Sequence, residues 1–242
     1  MSSENGFSEK SINRLLKDLK QIMKNPLTDN GIYYNHSEVD IYKGYALIIG
    51  PEDTPYENGY YLFEFIFPTD YPFSPPKVVF CTNNGVTRFN PNLYRNGKVC
   101  LSILNTWKGE QWTSCQTIST ILLTLTTVFN NNPLINEPGY SENNASCKPY
   151  RDSVEFMNYK TAILDIVSKK ILPVQFDNFY VIIKEHFDKN CEKILKKICD
   201  LKNSENNNKY ITLGTYNMKT NINYGELEKM FNKFLESLNK LK

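Results

Sequence analysis

Apolar residues at Ile12, Leu15, Leu16, Leu19, Ile22 and Met23 recur at the i, i+3, i+4, i+7 spacing of one helix face, and Pro26 closes the segment. The period then changes. Residues 45–49 and 60–67 are short β-rich runs separated by the turn formers Gly50-Pro51-Glu52-Asp53-Thr54-Pro55 and Glu57-Asn58-Gly59. In the second run Tyr61, Phe63, Phe65 and Phe67 fall on one face. This pattern predicts an antiparallel meander with helices packed against it, an α+β fold rather than alternating βαβ units.

Residues 82–111 have no periodicity and are too long for an idle connector, and loops of that length are usually functional. Thr113-Ser114-Cys115-Gln116 reads as a capping box opening a buried helix with Ile118, Ile121, Leu122, Leu125 and Val128. A further helical pattern over residues 154–171 is stopped by Pro173, and two amphipathic helices follow, one from Phe179 to Ile198 and one from Leu227 to Leu238. Between them residues 203–223 are polar and expected to be mobile. The chain divides into a core over residues 8–170 and a carboxy-terminal helical extension over residues 173–242, too small to bury a core of its own.

Composition narrows the function. With 242 residues, 40% hydrophobic and 22% charged, the chain suits a globular protein, and a net charge of +2 gives no field for nucleic acid. Neither a signal-peptide core nor a run of roughly 18 apolar residues is found, so the expected place is the cytosol or nucleus, away from membranes. The six cysteines form no C-x-x-C pair and read as free thiols. Only His36 and His186 are present, both expected at the surface or in packing, and there is no glycine-rich phosphate loop. Metal sites and nucleotide hydrolysis have no support.

One ordered set remains: Tyr71-Pro72-Phe73-Ser74-Pro75-Pro76, Phe89-Asn90-Pro91-Asn92, Asn96-Gly97-Lys98-Val99-Cys100-Leu101-Ser102-Ile103-Leu104, then Trp107 and Trp112. It is preceded by Gly-Pro-x-Asp-Thr-Pro-Tyr-x-x-Gly from Gly50 to Gly59. With Asn92 eight residues before Cys100, the chain resembles the ubiquitin-conjugating enzymes over roughly residues 8 to 170. Within that family, residues 88–92, 100–104, 132–140 and the tail look most like a branch charged by the second, non-standard ubiquitin-activating enzyme, which can also accept a ubiquitin-like modifier. The fold implied is an amino-terminal helix, a four-stranded antiparallel meander and further helices.

A thiol suits a carrier of activated carboxylates, because a thioester reacts readily with amines yet slowly with water, and Cys100 is the nucleophile. Asn92 is placed to donate to the oxygen that gains charge when a lysine attacks, and the resemblance implies that it also holds the active-site loop in shape. The resemblance implies a lysine-gating side chain at Asn136 or Glu137. It implies that Lys10, Arg14 and Lys17 on the first helix meet the activating enzyme, while Phe73, Thr113, Ser114 and Cys115 meet a ubiquitin ligase. Asn90 stands where most relatives carry histidine, which bears on local packing, and no role is assigned to Ser102. No metal or organic cofactor is expected, ATP being consumed upstream by the activating enzyme. Expected partners are ubiquitin or a ubiquitin-like modifier, the activating enzyme, a ligase and protein substrates. The competing readings are a noncatalytic ubiquitin-binding variant and a conjugating enzyme for another modifier.

Overall fold

A computed structural model describes residues 8–240. The first helix, α1, spans Glu9–Lys24, and Ser8 caps it by accepting from the Ser11 amide. Its buried face departs from the apolar stripe of the sequence. Leu15 and Ile22 are buried, Leu16 and Met23 stand in solvent, and Ser11 and Asp18 take the remaining buried positions. The reason is a polar anchor: Asp18, 3% exposed, accepts from the Tyr71 hydroxyl and from Arg14 Nε at 3.0 Å. A carboxylate can be buried there because both bonds compensate its lost hydration.

Four strands follow: β1 (Ile32–His36), β2 (Lys43–Ile49), β3 (Tyr60–Ile66) and β4 (Lys77–Phe80). They pair antiparallel in the order β1-β2-β3-β4, the meander expected. The register sets Ala46 opposite Phe63 and Phe63 opposite Phe80. Tyr60 to Phe63 are buried on both faces of the sheet rather than in alternation. One face carries Tyr61 packed on Tyr56 and Phe129, while Tyr60 on the other meets the ring of His186 edge-on with centroids 5.7 Å apart.

Helix α2 spans Ile118–Thr127, four residues beyond the capping box read in the sequence. Thr117 is the cap, and its hydroxyl and that of Thr120 each accept from the other residue's amide. Thr113 and Gln116 instead close a turn, the Thr113 amide donating to Gln116 Oε1 at 3.2 Å. Helix α3 (Cys147–Met157) continues as a π-helical stretch over Asn158–Asp165. It begins earlier than the apolar pattern because its first turns bury only Cys147 and Tyr150 and accommodate Pro149 near the amino end.

Beyond Pro173 lie α4 (Tyr180–Lys202), β5 (Lys209–Leu213), β6 (Met218–Ile222) and α5 (Tyr224–Asn239). The extension is therefore not wholly helical, and the segment expected to be mobile is a β-hairpin. Leu213, Met218, Thr220 and Ile222 are buried and alternate with exposed Thr212, Lys219 and Asn221, a period of two concealed among polar residue types. Phe156 packs edge-on to Tyr224, Tyr45 to Phe176, and Phe187 stacks on Phe231. The buried cluster consequently runs without a break from Leu15 to Phe231. No described helix is long and apolar enough to cross a membrane. The amino-terminal residues read for a signal peptide lie outside the described residues.

Candidate active site

The irregular stretch after β4 is ordered by bonds from side chains to backbone. The Phe80 amide donates to Gly97 O at 2.8 Å, and Gly97 turns the chain at φ +85°, where an added Cβ would meet a Val79 methyl at 2.8 Å. Val79 bridges to Lys98, so the returning chain runs beside β4 and delivers Cys100. Past the cysteine, Thr106 Oγ1 accepts from the Leu101 amide at 2.9 Å and donates to Val99 O at 2.8 Å.

Asn90-Pro91-Asn92 forms an Asx turn, the Asn92 amide donating to Asn90 Oδ1 at 2.9 Å. Asn90 is fully buried. Its amide donates to the Tyr56 hydroxyl at 3.0 Å and to Val128 O at 2.7 Å, and Asn136 Nδ2 donates to its oxygen at 3.3 Å. Asn90 is thus hydrogen-bonded through both ends of its amide at this buried position.

Asn92 and Cys100 are tied reciprocally. The Cys100 amide donates to Asn92 O at 2.9 Å, and Asn92 Nδ2 donates to Cys100 O at 2.6 Å. Because an amide nitrogen carries two hydrogens, one can hold the loop while the second remains for an acyl oxygen on the sulfur. Cys100 is 2% exposed, so the resting thiol is held out of bulk water. Among the described residues no hydrogen bond reaches its sulfur. Cys81 is not a rival: burial, helped by Glu64, pushes its thiol up to about 12. Burial likewise raises the Cys191 thiol.

Both histidines are packing residues remote from this site. His36 bonds to the Tyr34 hydroxyl at 2.9 Å and Ile41 O at 3.0 Å, and His186 to the Tyr60 hydroxyl at 3.1 Å. Burial lowers the pKa of each. Among the described residues no group of three or more His, Cys, Asp and Glu could hold a metal ion.

Asn136 and Glu137 stand at the end of the Pro133–Asn136 turn. Asn136 is engaged with Asn90 and accepts from Asn130 Nδ2 at 2.9 Å, while the Glu137 carboxylate accepts from the Tyr216 hydroxyl. On α1, Lys10 and Lys17 are exposed. Arg14 is turned away from them, donating to Ser114 O and, at 2.6 Å, to Gln116 O. Phe73 is 75% exposed, and Thr113, Ser114 and Cys115 are exposed on a loop that Trp112 fastens to the Phe73 turn, its Nε1 donating to Pro72 O at 2.7 Å. Trp112 is buried, whereas Trp107 is exposed.

Sequence reasoning missed the buried support. The Tyr150 hydroxyl donates to Arg88 O at 2.7 Å, and Arg88 Nε donates to Asn90 O at 3.0 Å. The spacing Asn90-Pro91-Asn92 signals the Asx turn. Tyr56 belongs to the Gly50–Gly59 motif, whereas nothing local signals Tyr150 or Tyr216, which are brought in from 62 and 121 residues away along the chain.

An antiparallel four-strand meander with helices against it, beside a long ordered loop that shelters a cysteine bonded to an asparagine amide, defines an α+β protein. The chain belongs to the ubiquitin-conjugating enzyme family, whose description "Ubiquitin-conjugating enzyme" matches residues 14–161. It is 42% identical over 160 residues to "Ubiquitin-conjugating enzyme E2 Z" of Homo sapiens, covering 65% of this chain and 45% of that protein. It is 39% identical over 194 residues to "Probable ubiquitin-conjugating enzyme protein 17" of Caenorhabditis elegans, covering 76% of this chain and 26% of the relative. The solved human ubiquitin-conjugating enzyme E2 G1 superposes with a TM-score of 0.45 at 34% identity, over 51% of this chain and 98% of that one. Within the family the chain is most like E2 Z. It spans about half the length, or less, of the curated relatives it matches.

Proposed function

We propose that this chain carries ubiquitin as a thioester on Cys100 and passes it to a lysine or to a ligase cysteine. The observation that carries the reading is the reciprocal Asn92–Cys100 bonding within a family-matched core. In the first step the Cys100 thiolate attacks the carbonyl carbon of the thioester on the activating enzyme. A new S–C bond forms, the old one breaks, and the activating enzyme leaves as a thiolate that takes up the proton lost by Cys100. Exchange between thiols of similar acidity needs little driving force, which suits a site where no histidine assists. In the second step a lysine nitrogen attacks the same carbon, the C–N bond forms, the C–S bond breaks, Cys100 departs as thiolate, and the amine proton goes to solvent. Asn92 Nδ2 donates to the oxygen as charge grows on it.

Residues 8–170 are assigned as the conjugating core and 173–242 as the extension. Asn136 or Glu137 is assigned the gating of the incoming lysine. Lys10 and Lys17 offer charge to the activating enzyme, with Arg14 bracing the loop that presents Thr113, Ser114 and Cys115 beside Phe73 to a ligase. No cofactor is required at Cys100, ATP being spent upstream. Six free thiols fit a reducing compartment, the cytosol or nucleus.

The test is charging with ATP, ubiquitin and each of the two types of activating enzyme, read on non-reducing gels. A thiol-sensitive adduct absent in Cys100→Ala and converted to a thiol-resistant ester in Cys100→Ser is the expected result. Charging only with another ubiquitin-like protein would reassign the modifier. Binding of ubiquitin without any charging would establish the noncatalytic reading.

A further inference from the structure

Arg88 is a buried cation, 8% exposed, immediately before the segment that carries Asn92. Its guanidinium donates to Asn90 O at 3.0 Å and to Pro91 O, so it holds the carbonyls on the near side of the Asx turn. Among the described residues no carboxylate lies within ion-pair distance of it. Its charge is compensated by ring faces: the guanidinium carbon is 3.3 Å from the Tyr94 centroid and 4.8 Å from that of Tyr216. Tyr216 comes from the tip of the β5–β6 hairpin.

That residue has two further ties to the same region. Its carbonyl accepts from Arg95 Nη2 at 2.8 Å, within the loop leading to Cys100, and its hydroxyl donates to Glu137. The adjacent Thr215 bonds to the Tyr140 hydroxyl at 2.7 Å, and the Tyr216 ring meets Tyr150 edge-on. Tyr216 and Asn217 also sit at φ 59° and 48°. Left-handed backbone is unfavourable for a tyrosine, and such a conformation persists only where surrounding contacts over-determine it. Here two of those contacts, with Arg88 and Arg95, lie on the loop leading to Cys100, and the others on Glu137, Tyr140 and Tyr150.

We propose that Tyr216 is a positioning residue for lysine discharge: its ring holds Arg88, Arg88 holds the Asn90-Pro91 carbonyls, and this fixes Asn92 over the acyl group on Cys100. The extension is then part of the catalytic apparatus. The inference rests on the thioester reading above, with the same C–N bond made and C–S bond broken; Tyr216 touches neither.

The test uses the full chain, charged at Cys100 with fluorescent ubiquitin and discharged in single turnovers onto increasing free lysine. Tyr216→Ala is expected to lower the limiting discharge rate about ten-fold, as a small misplacement of a donor does, with half-saturating amine unchanged. Tyr216→Leu, which keeps apolar volume but no ring face, is expected to be as slow. Tyr216→Phe, which keeps the ring, is expected to recover the rate, and Tyr210→Ala, at an exposed site on the same hairpin, to leave it unchanged. Wild-type discharge by Tyr216→Ala or Tyr216→Leu, or discharge by Tyr216→Phe as slow as that of the alanine variant, would overturn the proposal. Should the wild-type protein fail to charge at all, the thioester reading fails. The positioning is then decided by the Asn92 side-chain amide resonances, which must shift in Tyr216→Leu and stay at their wild-type positions in Tyr216→Phe.

Discussion

Asn92 and Cys100 exchange hydrogen bonds across eight residues, the side-chain amide of one reaching the carbonyl of the other at 2.6 Å while the cysteine amide returns a bond of 2.9 Å. The loop cannot change shape at one residue without moving the other. Asn92→Ala is therefore expected to reduce lysine discharge by about a hundred-fold, the loss typical of one oxyanion donor. Transfer from the activating enzyme to Cys100, an exchange between thiols, should fall much less. Rapid-quench discharge and charging time courses on the same preparation check both.

Asn90 bonds to four groups from a fully buried position. Replacing it by alanine strands donors and acceptors away from water, and Asn90→Ala is expected to cost about 3 kcal/mol of stability. Urea unfolding with an unchanged m-value would show it; a loss below about 1 kcal/mol would mean that water replaces the amide.

Asp18 anchors α1 to Tyr71 and Arg14, and Arg14 in turn holds the 113–116 turn. Asp18→Ala should destabilise the chain by about 2 kcal/mol, since the tyrosine hydroxyl and the arginine lose a shared partner. It should also weaken ligase-stimulated discharge, because the exposed turn loses its brace. Discharge without ligase is the control, and it should be affected less.

His186 is held neutral by burial, with a folded pKa below the ordinary 6.5. The unfolded chain then binds more protons between those two values, so stability is fully present above about pH 6.5 and is lost as pH falls through that window toward the folded pKa. Denaturant midpoints at pH 7.5 and 5.5 should therefore differ more in the wild type than in His186→Gln. His36 shifts in the same direction and contributes to what remains.

Truncation after residue 172 would uncover the aromatic positions that Phe176 and His186 now cover at Tyr45 and Tyr60. The shortened chain is expected to aggregate or melt several degrees lower, by light scattering and thermal unfolding. A soluble fragment with the full-length melting temperature would show that the extension's packing contributes nothing to the core.

Much was legible in the chain, because some information is strictly local. The change from a 3.6 to a 2.0 period separates α1 from the meander. The Asn-Pro-Asn turn and its spacing to Cys100 mark the loop in which Asn92 and Cys100 are bonded to each other. Other errors share one cause. The apolar stripe of α1 misplaced its buried face because a paired carboxylate can be buried where an isolated one cannot, and pairing depends on Tyr71, 53 residues away. The cap of α2 is Thr117 rather than Thr113, four residues earlier, because the two threonines offer equivalent hydroxyls and the packing of the 113–116 turn against Arg14 selects between them. The hairpin was concealed because Thr220 supplies a buried position that only its surroundings make apolar.

By itself the sequence determined the α+β class and the family, both set by residue type and pattern at short spacing, and it supplied the Asn92–Cys100 spacing on which the proposed thioester chemistry rests. Tertiary structure alone decided that Arg88 is buried between two tyrosine rings and that one of those rings comes from the extension, 128 residues further along the chain. A buried cation needs compensation from whatever folds against it, and chain distance carries no record of which residue that will be.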